Sequence, residues 1–182
     1  MDNTKGADPL LLAGKVLTII MQIAMGIGAL ALLIGIPALF IFQSDIAAEL
    51  ASEVGEQAAD FPLLTVAALM GMAVIAVGLI FMFFDRLRKI IGTVGEGDPF
   101  APANARRLNA MAWLLLGVQV IAIPMAGLGL TLAKWADETG HEGITIDAGL
   151  DLTGILMVVV LFILARVFRI GAAMRDDLEG TV

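Results

Sequence analysis

Four long apolar segments dominate this sequence of 182 residues. They cover about residues 16–42, 61–84, 108–132 and 148–168, and none has a Lys, Arg, Asp or Glu near its middle. A helix needs about 20 such residues to cross a bilayer. Because no water satisfies backbone groups there, each crossing segment must be helical. The sequence therefore predicts an all-α fold, a four-helix transmembrane bundle of two helical hairpins, in one integral membrane domain.

Composition supports a membrane location. Hydrophobic residues make up 59% of the chain and charged residues 16%, whereas soluble domains average about 45–50% and about 25%. The first apolar segment is far longer than the stretch of about 7–15 residues in a signal peptide, so we expect it to remain as an anchor. The chain has no cysteine, which excludes disulfides, thiolate metal ligands and thiol nucleophiles.

The positions of the charges predict the orientation. Of 11 Lys and Arg residues, ten lie in the N-terminal tail, the connection 85–107 or the C-terminal tail, and only Lys134 lies elsewhere. The other two connections carry ten acidic residues against that one lysine. Since basic residues accumulate in cytoplasmic loops, we expect both termini and the 85–107 connection in the cytoplasm.

Small residues on the first two apolar segments predict how helices pack. In lipid, a stripe of small side chains lets two helix backbones approach closely. A channel lining would use small residues too, but it would add more polar groups than these segments contain. The stripes are formed by Ala24, Gly28, Ala31 and Gly35, and by Ala67, Gly71 and Gly78.

The first outer connection has a helical pattern. Ile46, Leu50 and Val54 recur every fourth residue. Acidic residues occupy the other faces, so we expect a short amphipathic helix on the membrane surface. The acidic face would be a solvated surface or would bind cations or cationic peptides; its residues are Glu49, Glu53 and Glu56.

Few residues could support catalysis or hold a cofactor. His141 is the only histidine, and with Glu138 and Glu142 it falls short of the ligand set and orienting partners of a zinc site. No Gly-Lys-Ser/Thr phosphate loop occurs, and no histidine lies inside an apolar segment to hold a haem. We therefore expect no enzyme activity, no cofactor and no metal.

The connection between the second and third segments, VGEGDPFAPANARRLNAM at 94–111, is unusually polar. We expect the second helix to continue past Lys89 and to end at the glycines at 95 and 97. Asp98 followed by Pro99 predicts the next helix start, as a capping carboxylate before a proline at the first helical position.

That predicted helix places Phe100, Asn104 and Leu108 on one face, four residues apart. It directs Arg106 and Arg107 toward the lipid headgroups or the cytoplasm. Two interpretations of the aromatic ring and the amide follow. In the first, Phe100 and Asn104 pack beneath the bundle and connect this segment to the helix ends. In the second, they belong to a surface that binds another protein. Both interpretations can hold at once.

Asp147 and Asp151 lie one helical turn apart where the fourth apolar segment begins. Acidic residues at membrane depth are candidates for function. We favour a structural role, because an acidic residue in the first turn complements the helix dipole.

The chain resembles a bacterial membrane family known as domain of unknown function 2975. The stretch GDPFAPANARRL is similar to that family's Gly-x-Pro-Phe-x-x-x-Asn signature between the second and third spans, and VFRIGAAMRDDLEGTV is similar to its C-terminal ending. Met174 and Gly180 stand where the family pattern has leucines. The residues that match are Gly97, Pro99, Phe100, Asn104, Phe168, Gly171, Asp177 and Thr181.

The resemblance implies a location and a partner rather than a reaction. Members are often encoded beside small helix-turn-helix regulators, which suggests a protein of the bacterial inner membrane that binds a cytoplasmic transcription factor and contacts no nucleic acid itself. The predicted partner-binding residues lie on the cytoplasmic face. They are Arg88, Lys89, Asp98, Pro99, Phe100, Asn104, Arg106, Arg107, Phe168, Arg169, Gly171, Arg175 and Asp177.

Two alternative functions stay open. The chain could be an accessory subunit of a larger membrane complex or a homo-oligomer. It could also be a small transporter, since its halves share a similar layout and an Ile-Pro step, Ile36-Pro37 and Ile123-Pro124, and paired interrupted helices mark binding sites in some transporters.

Overall fold

A computed structural model of the protein describes residues 8–54, 61–139 and 151–179. All regular secondary structure in these ranges is helical, which confirms the all-α prediction. The chain order is α1 (Pro9–Ile41), α2 (Gln43–Val54), α3 (Leu63–Gly95), α4 (Pro102–Glu138) and α5 (Leu152–Glu179).

Four of these helices, α1, α3, α4 and α5, are long and apolar enough to cross a membrane. The 33 residues of α1 would extend about 50 Å at about 1.5 Å per residue, whereas the hydrocarbon core is about 30 Å thick. Large apolar side chains such as Ile34, Ile123 and Ile163 are exposed, as lipid-facing residues should be. The four-span prediction is confirmed, and the helices extend beyond the apolar segments that predicted them.

The chain divides into two compact units. Unit 1 comprises the described residues of Met1–Gly26, Leu79–Val118 and Asp151–Val182. Its hydrophobic core lies where α3, α4 and α5 contribute buried side chains, with Phe83, Leu87 and Phe168 packed against them. The buried residues of this core are Ile90, Leu108, Met111, Ala112, Leu161 and Ala165.

Unit 2 comprises the described residues of Ile27–Gly78 and Gln119–Leu150. The rings of Phe61 and Trp135 meet edge to face with centroids 5.3 Å apart. Pro37 lies inside α1 and Pro124 inside α4, so neither proline ends its helix. The prediction of a single membrane domain stays a prediction.

The small-residue stripes are only partly a packing surface. A β-carbon added to Gly35 would come within 2.7 Å of Met70 Cε, so the helices approach closely there. No described atom outside the local helix lies within 4 Å of a β-carbon added to Gly28, Gly71 or Gly78. These three glycines are half-buried, so no close contact supports the stripe prediction at their positions.

The predicted helix in the first outer connection is present as α2. It begins two residues after α1 ends, and the Ile46 amide donates to the Phe42 carbonyl over 2.9 Å. Ile46 and Leu50 are half-buried, whereas Asp45 and Glu49 are exposed, so the amphipathic pattern is confirmed for these residues. Glu56 lies outside the described residues.

Asp151 caps the N-terminus of α5. Its Oδ1 accepts a hydrogen bond from the Gly154 amide at 2.9 Å, which satisfies a backbone donor that has no partner within the helix. The structural interpretation of Asp151 as a helix-start residue is thereby supported. Asp147 and His141 lie outside the described residues.

Candidate functional site

The C-terminus of α3 is closed by a glycine cap. The Asp98 amide donates to the Thr93 carbonyl and the Gly97 amide to the Val94 carbonyl, each over 3.0 Å. This pair of bonds defines a Schellman motif, whose glycine adopts a left-handed conformation. Gly97 has a φ of 87°, and the prediction that the helix ends at this glycine cluster is confirmed.

The next helix begins later than predicted, and the assignment of Asp98 and Pro99 as its start is wrong. α4 begins at Pro102, where a missing amide proton costs no hydrogen bond. Pro99 and Phe100 instead form a turn, in which the Ala101 amide donates to the Asp98 carbonyl over 3.4 Å. Phe100 therefore does not share a helix face with Asn104.

Asn104 is the polar centre of the connection and is completely buried. Its Nδ2 donates to Thr93 Oγ1 at 2.8 Å and to the Pro99 carbonyl at 3.0 Å. Its Oδ1 accepts from Arg107 Nη1 at 2.9 Å. Every polar atom of the amide thus has a partner, as burial requires.

Arg107 is directed back into unit 1 and not, as predicted, toward headgroups. Its Nη1 donates to the Lys89 carbonyl at 3.0 Å as well as to Asn104. The guanidinium therefore satisfies a carbonyl near the end of α3 and orients the buried amide. Arg107 is a structural residue of the connection in this arrangement.

Phe100 packs the connection between α3 and α4 against α5. Its ring lies 5.4 Å from that of Phe168, measured between centroids. It also covers Gly171, where an added β-carbon would come within 2.7 Å of Phe100 Cδ1. Phe100, Phe168 and Gly171 of the predicted surface therefore lie together. Glycine suits position 171 because a larger residue would contact the Phe100 ring.

An ion pair joins the same two parts of the chain. The Arg175 guanidinium donates to Asp98 Oδ1, and both side chains are partly exposed. Asp98, which was expected to cap α4, thus holds the end of α5 instead. Asp177 is exposed on the same helix.

A cleft of about 270 Å³ opens between the start of α4 and the end of α5. Two basic residues, Arg106 and Arg169, line it together with the acidic residue Asp176. The apolar residues that line the cleft have small side chains, so the cleft can accept a side chain of another molecule. The remaining lining residues are Pro102, Ala105, Ala172 and Ala173, and we call the whole set the basic cleft.

Arg88 and Lys89 belong to a different part of unit 1. Lys89 Nζ lies 2.6 Å from Asp85 Oδ2, and Arg88 Nη2 lies 3.4 Å from Asp85 Oδ1. Both pairs are formed within α3. Arg88 also lines a second cleft with Gln22 of α1, so the predicted surface divides into separate parts.

Sequence reasoning missed several residues of this site. Thr93 could have been found, because a buried Asn104 needs a polar partner near the end of α3. Pro102 could have been weighed as a helix start equal to Pro99. Ala172 and Ala173 gave no signal, since small residues in a tail point to nothing specific.

These features define the class of the chain: an all-helical, four-span membrane protein with a capped polar connection at one end of unit 1. A family model described as a protein of unknown function, DUF2975, matches residues 45–182. The chain belongs to this family, whose model covers the chain from residue 45 onward. No curated protein and no solved structure gives a significant match.

Proposed function

We propose that this protein is a non-catalytic regulator in the bacterial inner membrane that binds a cytoplasmic helix-turn-helix transcription factor at the basic cleft. The orientation rests on the distribution of basic residues, which places both termini and the connection in the cytoplasm. The kind of partner rests on the family resemblance. The location proposed for the contact is supported by the cleft that Arg106 and Arg169 line.

One observation carries the proposal. In the described part of the chain, no hydrogen bond or ion pair engages the guanidinium of Arg106 or of Arg169, although both lie on one cleft. A guanidinium offers several donors in a planar fork that matches a carboxylate. Two of them beside alanine methyl groups suit an acidic side chain carried on an apolar helix face.

The proposal is narrower than the surface predicted from sequence. Asn104 and Arg107 bond to each other and to α3, and Phe100 packs against Phe168 and Gly171. These residues shape the connection, so their substitution would act through folding. Arg106 and Arg169 are the residues expected to contact the partner directly.

The rival explanation is that anionic lipid holds the same two arginines, at about 1 kcal/mol for each basic residue near the surface. Lipid attraction depends on charge alone. Protein binding at the cleft depends on position. A change at Arg166, an exposed arginine of α5 outside the cleft lining, separates the two.

The test co-expresses the full chain with a small helix-turn-helix regulator of the kind encoded beside family members, taken from the same genome, and measures the regulator in the membrane fraction. The double variant Arg106→Gln and Arg169→Gln should release the regulator, whereas Arg166→Gln should retain it. Both variants must reach the membrane at the level of the unaltered chain. A regulator that never sediments with the unaltered chain would end the proposal and favour an accessory subunit.

A further inference from the structure

Gln22 is a polar residue in the apolar helix α1. It lies between Met21 and Ile23, and the residue is only 8% exposed. No hydrogen bond joins this amide to any described residue. An amide in a largely apolar setting gains from a hydrogen bond, so a ligand in the adjoining cleft that accepts from Gln22 would be stabilised.

The amide lies on a cleft of about 410 Å³ between α1 and α3, within unit 1. Ile19 and Ile23 line it from α1, and Phe81 lines it from α3. Asp85 and Arg88 complete the lining. One cleft therefore offers an apolar wall, an amide and two charged groups.

The cleft contains a cationic side chain, Arg88, that can bind an anion. Lys89 approaches the Asp85 carboxylate to 2.6 Å, whereas Arg88 approaches it only to 3.4 Å. Lys89 thus makes the short contact with Asp85, and most donors of the Arg88 guanidinium are unused in the described structure. The ammonium group of Lys89 offsets the charge of the Asp85 carboxylate, so Arg88, Lys89 and Asp85 together carry one net positive charge.

Apolar and charged residues follow one another along α3 in an order that suits an amphiphilic ligand. Phe81 lies near the end of the apolar segment 61–84, and Arg88 follows it by about two turns. Ile23 and Phe81 expose large apolar surfaces beside the polar groups. A ligand with a charged head at Arg88 and a hydrocarbon tail along these side chains would satisfy both ends.

We propose that this cleft is a specific phospholipid site, in which the phosphate diester binds Arg88 and the Gln22 amide and an acyl chain lies along Ile19, Ile23 and Phe81. A guanidinium binds phosphate oxygens through two parallel hydrogen bonds. The Gln22 amide donates to a further oxygen of the headgroup. The site is independent of the basic cleft and of the proposed function.

Native mass spectrometry of the full chain in mild detergent tests the site. Dioleoyl phosphatidylglycerol is titrated as the probe, with dioleoylglycerol as a lipid that lacks phosphate. Gln22→Leu and Arg88→Gln should each weaken phosphatidylglycerol binding about tenfold, as expected for a lost hydrogen bond to a charged group. Arg86→Gln removes the same charge two residues away, at a residue outside the cleft lining, and should bind as the unaltered chain does.

The outcomes separate the alternatives. Equal binding of dioleoylglycerol, or equal loss in Arg86→Gln, would overturn the proposal in favour of unspecific lipid adhesion. Displacement of the lipid by inorganic phosphate at comparable concentration would overturn the assignment to a lipid and identify a site for the free anion. Unchanged melting temperatures of the variants show that they are folded, and should Gln22→Leu fail this control, Arg88→Gln alone decides the result.

Discussion

The side-chain amide of Asn104 donates to the Thr93 hydroxyl over 2.8 Å, which joins the first turn of α4 to the last turn of α3. The hydroxyl can donate onward to the Ile90 carbonyl at 2.8 Å. Because Asn104 is fully buried, this chain of bonds is shielded from competing water. The polar connection is thus an internally bonded structure and not a loose loop.

Replacing Asn104 by Ala should destabilise the protein by about 2 kcal/mol, since buried partners lose their hydrogen bonds. Thermal unfolding in detergent measures the loss. Asn109→Ala is the matched control, because Asn109 lies in the same helix and makes no hydrogen bond through its side chain to a described residue. Equal losses for the two variants would contradict the role assigned to Asn104.

Replacing Gly97 by Ala should cost about 1–2 kcal/mol, because a left-handed backbone brings a β-carbon against the following carbonyl. The φ of 87° at Gly97 is the reason. Gly95→Ala is a sharp comparison, since that glycine is helical and its added β-carbon would meet Leu11 at an ordinary 3.8 Å. We expect no loss of stability for Gly95→Ala. A larger loss of stability at Gly95 than at Gly97 would contradict the assignment of Gly97 as the cap of α3.

Gly171→Ala should displace the Phe100 ring, because the new methyl group would lie 2.7 Å from Cδ1 and 2.9 Å from Cε1. A double-mutant cycle with Phe100→Ala measures the effect in unfolding free energy. The penalty at Gly171 should be about 1 kcal/mol or more in the unaltered background. It should vanish once the ring is absent, and a penalty that persists would locate the strain elsewhere.

The proposed orientation can be tested directly because the chain has no cysteine. Single cysteines at Ser52 and Glu138 should react with an impermeant thiol reagent outside intact cells, and one at Glu96 should react only after lysis. All three positions are exposed. Thr93 is unsuitable for a cysteine, because its hydroxyl forms a hydrogen bond with Asn104. If only the Glu96 variant were labelled in intact cells, the orientation would be the opposite of the proposed one.

Much of the fold is readable from sequence because hydrocarbon allows so few backbone structures. Four apolar segments predict four helices, and Gly97 predicts an end of α3. The start of α4 was missed because Pro99 and Pro102 satisfy the same local rule three residues apart. The cap of α3 decides between them: it uses the Asp98 amide, so the chain needs further residues before another helix can begin.

The site was less predictable, and two neighbouring arginines show why. Arg106 and Arg107 differ by about 100° around α4, so one can point inward while the other lines a cleft. Which of them points inward depends on the Lys89 carbonyl, which only the packed structure brings near. Sequence spacing fixes the angle between two side chains but not the direction of either.

The helix α5 runs without proline from Leu152 to Glu179. Val158, Leu161, Ala165 and Ala172 form one continuous buried face along it. An uninterrupted helix of this kind has no hinge, so its membrane-crossing part and Arg169 move as one rod. Since helix tilt adjusts to bilayer thickness, any tilt of α5 would also displace Arg169 at the basic cleft.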